Sequence, residues 1–377
     1  MAEILGPATI LALALPTGVD GTKVAQWQLR DGITWQQFVS EYSLALGGFN
    51  EEMVSMWGWL FGLVDEPFLE YEDGGAVTEA KDITDVDKVD SISGSTLGHM
   101  LDLRVYGTGV GGTKRYFRDK RSSQVAAHLR ASVRQLRWRF EKKLLTRMFT
   151  NTENAIGSAG YDVPFVRGTG GNVDFTPPAF SGEVFTSSHD HFIGVDSDTK
   201  GFDDVIEELV EHLVEHGHMA PFDVIVAKAD IDAGSYHALA DFVELKAAVI
   251  QMIDRGGATS GNQFFSEGQA DLRGIAGYYQ SRYGQVNIRA NSRVPTNYAA
   301  IGKSYGRLDP RNPLGVRVHP DVGFGARIVT ETTNDDQYPI KQVNAEMEFG
   351  VSVGEDRTNG AAAFLDASGA WTNPTIS

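Results

Sequence analysis

The sequence of 377 residues contains no cysteine, and this absence removes several kinds of chemistry at once. Disulfide cross-links, thiolate nucleophiles and cysteine-based zinc sites are all excluded. No stretch approaches the roughly eighteen apolar residues that a membrane-spanning helix needs, so we expect no membrane partner. The apolar start, MAEILGPATILALAL, is short, is interrupted by Pro7 and carries Glu3 where a signal peptide would be positive.

Positive charge is scarce and unevenly placed along the chain. There are 33 Lys and Arg against 50 Asp and Glu, which gives a formal net charge of −17. Such a charge repels phosphate and argues against an ordinary DNA-binding protein. The segment from Lys114 to Thr150 nevertheless carries twelve of the cations and only two acids, Asp119 and Glu141. We therefore expect a polarised molecule, basic along one segment and acidic elsewhere.

This basic segment also lacks glycine and proline, so we predict one continuous helix roughly 50 Å long. Its apolar residues recur every three or four positions, which predicts a single core-facing stripe. The stripe consists of Val125, Leu129, Val133, Leu136, Phe140, Leu144 and Met148. Arg130, Arg134 and Arg137 are candidates for contact with a polyanion or an acidic neighbouring subunit. A solvated basic face paired with acidic neighbours is the alternative interpretation.

Composition changes divide the remaining chain into recognisable parts. Residues 1–65 resemble an arm with short helices, one of them ended by Gly47 and Gly48. Residues 66–113 predict a long two-stranded excursion that cannot be stable alone. Residues 201–304 alternate between strand, helix and loop, with helices expected near 230–241 and 243–254, and predict a compact α/β lobe. The C-terminal part, 314–365, predicts strands that the long helix covers.

Three glycines before the long helix fit the dinucleotide-binding pattern G-x-G-x-x-G, at Gly107, Gly109 and Gly112. Two observations oppose that interpretation. The following helix is too long for a compact crossover, and Ser132 and Val133 stand where an acidic ribose ligand would be expected. We predict that these glycines form a turn that leads into the helix.

A second pattern, H-x-x-E-H, occurs at His212, Glu215 and His216. In zinc peptidases of this type the two imidazoles bind the metal while the glutamate acts as a base. The alternative is the polar margin of an acidic helix, and no third ligand can be assigned from the sequence. His189 and His191 are also suited to metal binding, but nothing in the sequence fixes their geometry, and we predict a loop there.

The order of parts resembles the major capsid proteins of tailed bacteriophages, with their Hong Kong 97-type α+β fold. The resemblance covers nearly the whole chain, and the end of the sequence, from Phe349 through Arg357 to Leu365, resembles the family's last P-domain strand. It implies an N-arm at 1–65, an E-loop hairpin at 66–113, a P-domain with its spine helix beginning at 114–200, an A-domain at 201–304 and closing P-domain strands at 305–377.

The same resemblance implies a structural protein located in the virion and made in the host cytoplasm. Its partners would be copies of itself in hexamers and pentamers, packaged double-stranded DNA held by non-specific contacts, a separate scaffolding protein, a portal and a decoration protein. We expect no enzyme, no cofactor and no metal ion. The alternatives are an encapsulin-type shell enclosing cargo protein and, from another class, a zinc peptidase using His212, Glu215 and His216.

Overall fold

The computed structural model describes residues 29–71, 98–153, 162–168, 175–236, 239–244, 275–331 and 340–376. The chain divides into two compact units, which we describe separately. Unit 1 contains Met1–Glu52, Val105–Arg139 and Phe324–Glu348, and unit 2 contains Met53–Arg104, Phe140–Gly323 and Phe349–Ser377. Within the described ranges, no helix combines the length and the apolar character required to cross a membrane.

The regular elements mix helices and strands along the whole chain. The helices are α1 (Trp35–Trp57), α2 (Lys114–Asp119), α3 (Ser122–Phe149), α4 (Phe202–Glu215) and α5 (Lys228–Asp232). The strands are β1 (Phe61–Val64), β2 (Phe68–Glu70), β3 (Gly98–Met100), β4 (Arg104–Thr113), β5 (Phe192–Asp196), β6 (Phe222–Ala227), β7 (Phe242–Glu244), β8 (Ile275–Ser281), β9 (Gly284–Asn291), β10 (Tyr298–Gly302), β11 (Leu314–Arg317), β12 (Ala326–Glu331), β13 (Ile340–Val353) and β14 (Ala361–Asp366).

Unit 1 joins helical and strand segments that are far apart in sequence. Helix α1 begins with a reciprocal cap, in which Gln37 N–H donates to Thr34 Oγ1 and Thr34 N–H donates to Gln37 Oε1. Strand β13 pairs antiparallel with β12 and also pairs with β4. The Asn50 amide joins α1 to β12, because it both donates to and accepts from the backbone of Ala326.

Unit 2 contains a seven-stranded mixed sheet in the order β5-β14-β10-β6-β9-β8-β7. Its central strand β6 is buried along its whole length, as expected for the apolar run FDVIVA. Helix α4 presents five apolar residues to the same core: Val205, Ile206, Leu209, Val210 and Leu213. Elsewhere in this unit β1 runs parallel to β11, and β11 pairs antiparallel with the end of β13.

The predicted continuous basic helix is wrong in one respect, because it is divided into α2 and α3 at Lys120 and Arg121. A new N-terminus begins there, with the Gln124 side chain accepting from Arg121 N–H. Asp31 also accepts hydrogen bonds from the backbone and the hydroxyl of Ser122. Helix α3 is therefore 28 residues long, or roughly 42 Å at 1.5 Å per residue.

Glycines lie inside regular elements at two places where the sequence predicts a helix end or a turn. Helix α1 does not end at Gly47 and Gly48 but continues through them to Trp57. Leu46 before the pair and Met53 after it are both buried, and tertiary packing overrides the low helix propensity of glycine. The triplet that begins at Gly107 lies inside strand β4, which pairs with β13, and not in a turn.

The lobe and the closing strands also differ from expectation in detail. The helix expected near 230–241 is only the short α5, and Phe242–Glu244 is strand β7, while residues 245–254 lie outside the described ranges. Strand β14 confirms a strand near the end of the chain, and it lies between β5 and β10 in the seven-stranded sheet. Of the expected hairpin at 66–113, β2 and β3 form an antiparallel pair, and residues 72–97 are not described.

Candidate functional site: the basic helix and a histidine cluster

All seven residues of the apolar stripe on α3 are buried. In unit 1, the Tyr42 hydroxyl of α1 donates to the carbonyl oxygen of Leu129 at 3.2 Å. In unit 2, the Phe140 ring packs edge-on against Phe61 of β1 and Phe349 of β13, with centroid distances of 5.4 and 5.1 Å. The stripe therefore has a structural role, and it leaves the arginines of α3 as the candidate binding groups.

The three predicted arginines are in different environments. Arg130 and Arg134 are exposed and form no ion pair with any other described residue. Arg137 is only partly exposed, and its Nη1 lies 3.0 Å from Oε1 of Glu52 on α1. Within unit 1, Arg137 thus agrees with the interpretation of a basic face paired with acidic neighbours. Arg130 and Arg134 instead present positive charge to the surroundings.

Two other cations of the same segment, Arg139 and Arg147, have partners within this chain. The Arg139 guanidinium lies 5.2 Å from the ring centroid of Tyr106 in unit 1. Arg147 in unit 2 is fully buried and paired with Asp162. The segment's high positive charge therefore overstates the charge available for binding a partner.

Four histidines come together in unit 2, although the sequence separates them into two pairs. His189 and His191 immediately precede β5, and His212 and His216 lie on α4 and at its C-terminal cap. The rings of His189 and His191 are nearly parallel, with their centroids 5.2 Å apart. The centroid of the His212 ring lies 4.7 Å from that of the His189 ring. The H-x-x-E-H pattern in the sequence contains His212 and His216, whereas the sequence around His189 and His191 predicts only a loop.

The sheet and the helix end fix the positions of these side chains. His191 stands at the start of β5, where its backbone carbonyl accepts from Ala362 N–H of the parallel neighbour β14. Helix α4 ends at Glu215, and Gly217 follows the cap residue His216. The φ of +87° at Gly217 allows the N–H groups of Gly217 and His218 to reach the carbonyls of Val214 and Leu213. This turn leaves His216 facing the start of β5.

Hydrogen bonds assign the ring nitrogens of the cluster. Nδ1 of His191 lies 2.7 Å from the carbonyl oxygen of Gly360 and must donate to it, so Nε2 carries the lone pair. That Nε2 is 3.0 Å from Nε2 of His216. Nδ1 of His212 donates to the carbonyl of Glu208 on the preceding turn. Nε2 of His189 is buried, has no hydrogen bond, and lies 3.4 Å from Oε2 of Glu215.

Burial keeps this cluster uncharged. Together with the neighbouring imidazoles, it lowers the pKa of His189 to about 4 and that of His216 to about 3. Burial also lowers the pKa of His191 and of His212. The Glu215 pKa is raised to about 7 by burial and by the charges of Glu211 and Glu183. Neutral imidazoles each keep one lone pair, which is the form that binds metal.

His218, also near the sequence motif, does not join the cluster. Its Nδ1 lies 3.2 Å from the Tyr305 hydroxyl, and its Nε2 lies 3.1 Å from the Thr358 hydroxyl. Both ring nitrogens therefore have partners outside the cluster.

Comparison with solved structures identifies the fold. A chain of Mycobacterium phage Patience is similar with a TM-score of 0.57 and 22% identity, over 96% of this chain and 97% of that one. A chain of the capsid of Ralstonia phage GP4 gives a TM-score of 0.45 and 13% identity over 85% and 92%. The SrpI encapsulin of Synechococcus elongatus gives 0.40 and 12% over 84% and 88%. No protein-family model and no curated protein matches the sequence.

The similarity to the Mycobacterium phage chain extends over nearly the full length of both proteins. It confirms the predicted α+β class and shows that this chain shares the fold of that phage chain. At this identity the similarity concerns the fold alone. The bounds of the N-arm, E-loop, P-domain and A-domain remain predictions.

Proposed function

We propose that this chain is a structural major capsid protein that assembles with copies of itself into an icosahedral shell around double-stranded DNA. The observation that carries the proposal is the fold similarity to the Mycobacterium phage chain, which leaves almost no part of either chain unmatched. A fold by itself hosts many functions, so the assembly and its contents need direct tests.

The proposal includes the partners implied by the sequence resemblance. These are hexamers and pentamers of the same chain, a separate scaffolding protein, a portal and a decoration protein, with the mature protein in the virion after synthesis in the host cytoplasm. The chain is not an enzyme in this proposal, and no cofactor takes part in assembly.

Charge supports a DNA-filled shell. Arg130 and Arg134 are exposed on α3 and form no ion pair with any other described residue, so they can bind phosphate without reading sequence. The formal charge of −17 for the whole chain keeps most of the surface unfavourable for DNA. Contact with DNA would therefore be confined to the basic surface of α3 that carries Arg130 and Arg134.

Assembly is tested with the full chain produced alone and together with the scaffolding candidate from the same genome. Sedimentation velocity and electron microscopy should show closed shells in at least one of the two conditions. Subunits that stay monomeric in both would refute the capsid proposal. Particles recovered from the source should contain nuclease-protected DNA. Particles filled with a cargo enzyme and free of DNA would instead support the encapsulin alternative.

A further inference from the structure

The histidine cluster of unit 2 brings together three side chains that could hold a metal ion. The candidate donor atoms of His189, His191 and His216 all lie within 4.8 Å of one another. We propose that these three histidines and Glu215 bind one Zn²⁺ ion, which links the segment before β5 to the C-terminal end of α4. The sequence predicts no metal ion, and this proposal differs from that prediction.

Two distances between side-chain atoms of the cluster match the separation of ligand atoms around a tetrahedral zinc ion. Ligand nitrogens or oxygens at 2.0–2.1 Å from zinc lie about 3.3 Å apart when the geometry is tetrahedral. Nε2 of His191 and Nε2 of His216 are 3.0 Å apart. Nε2 of His189 and Oε2 of Glu215 are 3.4 Å apart. Each pair therefore has the spacing of two ligands of one ion. The donor atoms of the three histidines, all within 4.8 Å of one another, would have to move closer together, and Glu215 with them, for one ion to bind all four.

The surroundings of the cluster also suit a metal. The carbonyl of Gly360 accepts from Nδ1 of His191, an arrangement that orients metal-binding imidazoles and fixes which nitrogen faces the ion. His191 is fully buried, and the buried Nε2 of His189 has no hydrogen bond. A buried nitrogen without a partner carries a desolvation cost that a metal ion would offset. Imidazole and carboxylate ligands favour zinc over Mg²⁺ or Ca²⁺.

This site differs from that of a zinc peptidase. A hydrolytic zinc keeps one coordination position for water, and the glutamate of H-x-x-E-H acts as a base. Here His189 and His191 arrive from another segment and, with His216 and Glu215, complete four protein ligands. Four protein ligands are typical of a structural zinc site. We therefore infer a stabilising ion and no hydrolysis, and the inference does not depend on shell assembly.

The test uses the full chain without a histidine tag, stripped with EDTA and then titrated with ZnCl₂. Elemental analysis and calorimetry should give one Zn²⁺ per chain, and Zn²⁺ should raise the unfolding temperature. Co²⁺ should give the strong visible absorption of a four-coordinate site. A well-folded wild-type protein that shows no Zn²⁺ binding would overturn the proposal.

Variants locate the ion. His189→Gln and His216→Gln preserve side-chain bulk at partly exposed positions, so they should fold, and circular dichroism checks this. Each should weaken Zn²⁺ binding by more than about 100-fold, beyond the usual effect of losing an outer-shell group. His319→Gln, at a histidine 42% exposed and outside the cluster, is the matched control and should bind normally. Binding that persists in the His189→Gln/His216→Gln double variant would place the ion elsewhere and refute this site.

Discussion

Arg147 and Asp162 form an ion pair in the interior of unit 2, where their side chains are only 0% and 6% exposed. Nη1 of Arg147 lies 2.8 Å from Oδ2 of Asp162. The same guanidinium donates to the carbonyl oxygens of Thr150 and Thr152. Burial lowers the pKa of Arg147 to about 10, which leaves it charged at neutral pH. The pair therefore fixes the direction of the chain as it leaves α3.

Removing one member of this pair should be costly. Asp162→Asn leaves a buried charge without its counter-ion, so we expect the free energy of unfolding to fall by about 3–5 kcal/mol. The control is Asp232→Asn, which breaks the exposed pair with Lys228 and should cost less than about 1 kcal/mol. Urea unfolding of the unassembled subunit measures both changes. Equal small losses would show that the buried pair contributes little.

Arg147 also shows what sequence patterns can and cannot predict. The apolar stripe of α3 follows from a period of three to four residues, a local signal that packing did not overrule. The stripe says nothing about Arg147, which counts as one more cation in a basic segment. Its burial depends on Asp162, which becomes its partner only in the folded chain.

The histidine cluster likewise combines a part that the sequence predicts with a part that only the folded chain brings together. One turn of helix brings His212 and His216 to the same side of α4, and this spacing is readable from sequence. His189 and His191 reach them only because β5 pairs in parallel with β14, a strand about 170 residues further along the chain. No local pattern encodes that pairing, so the part that His189 and His191 play in the cluster could not be assigned from the sequence.

The glycines of α1 provide a stability test. Gly48 is exposed inside a continuous helix, and a Cβ there would meet no atom within 4 Å. Gly48→Ala should therefore stabilise unit 1 by about 1 kcal/mol through helix propensity. Gly350 is the contrasting position, because a Cβ there would overlap the backbone carbonyl oxygen of Asp102.

Thermal unfolding of the two alanine variants checks this contrast. We expect a higher unfolding temperature for Gly48→Ala and a marked loss of folded protein for Gly350→Ala, because backbone cannot move aside as a flexible side chain can. A destabilised Gly48→Ala variant would mean that α1 does not run through the glycine pair in solution.

His99 should make stability depend on pH. It is buried, and its Nδ1 lies 2.9 Å from the Tyr71 hydroxyl. Burial, with the charges of Arg357 and Arg147, lowers its pKa to about 3, against about 6.5 when unfolded. The unfolded chain then binds more protons, so stability present above pH 6.5 is lost as the pH falls towards 3. At pH 5 this histidine should cost about 2 kcal/mol.

Unfolding free energies between pH 5 and 7.5 measure this effect. His99→Gln should make the free energy of unfolding depend less steeply on pH, because it removes the contribution of His99. Other buried histidines still contribute to the slope that remains. An identical slope in wild type and His99→Gln would show that His99 does not change its protonation on unfolding.

Reversing charge on α3 separates DNA contact from folding. Arg130→Glu with Arg134→Glu alters two exposed residues that form no ion pair with any other described residue, so the subunit should keep its unfolding temperature within a few degrees. If these arginines face packaged DNA, shells should form and contain less of it, because each lost cation weakens phosphate binding at a given salt concentration. The measurement is the ratio of nucleic acid to protein in purified particles.

Two further variants make the charge-reversal result interpretable. Arg137→Glu places a second carboxylate beside Glu52, with which Arg137 now pairs at 3.0 Å, so it should lower the stability of unit 1 as well. Lys228→Glu with Arg311→Glu makes the same total charge change at exposed pairs in unit 2 and should leave DNA content unchanged. Loss of shells in the Arg130→Glu/Arg134→Glu variant alone would assign these arginines to an acidic neighbouring subunit, and normal particles with full DNA would remove them from both roles.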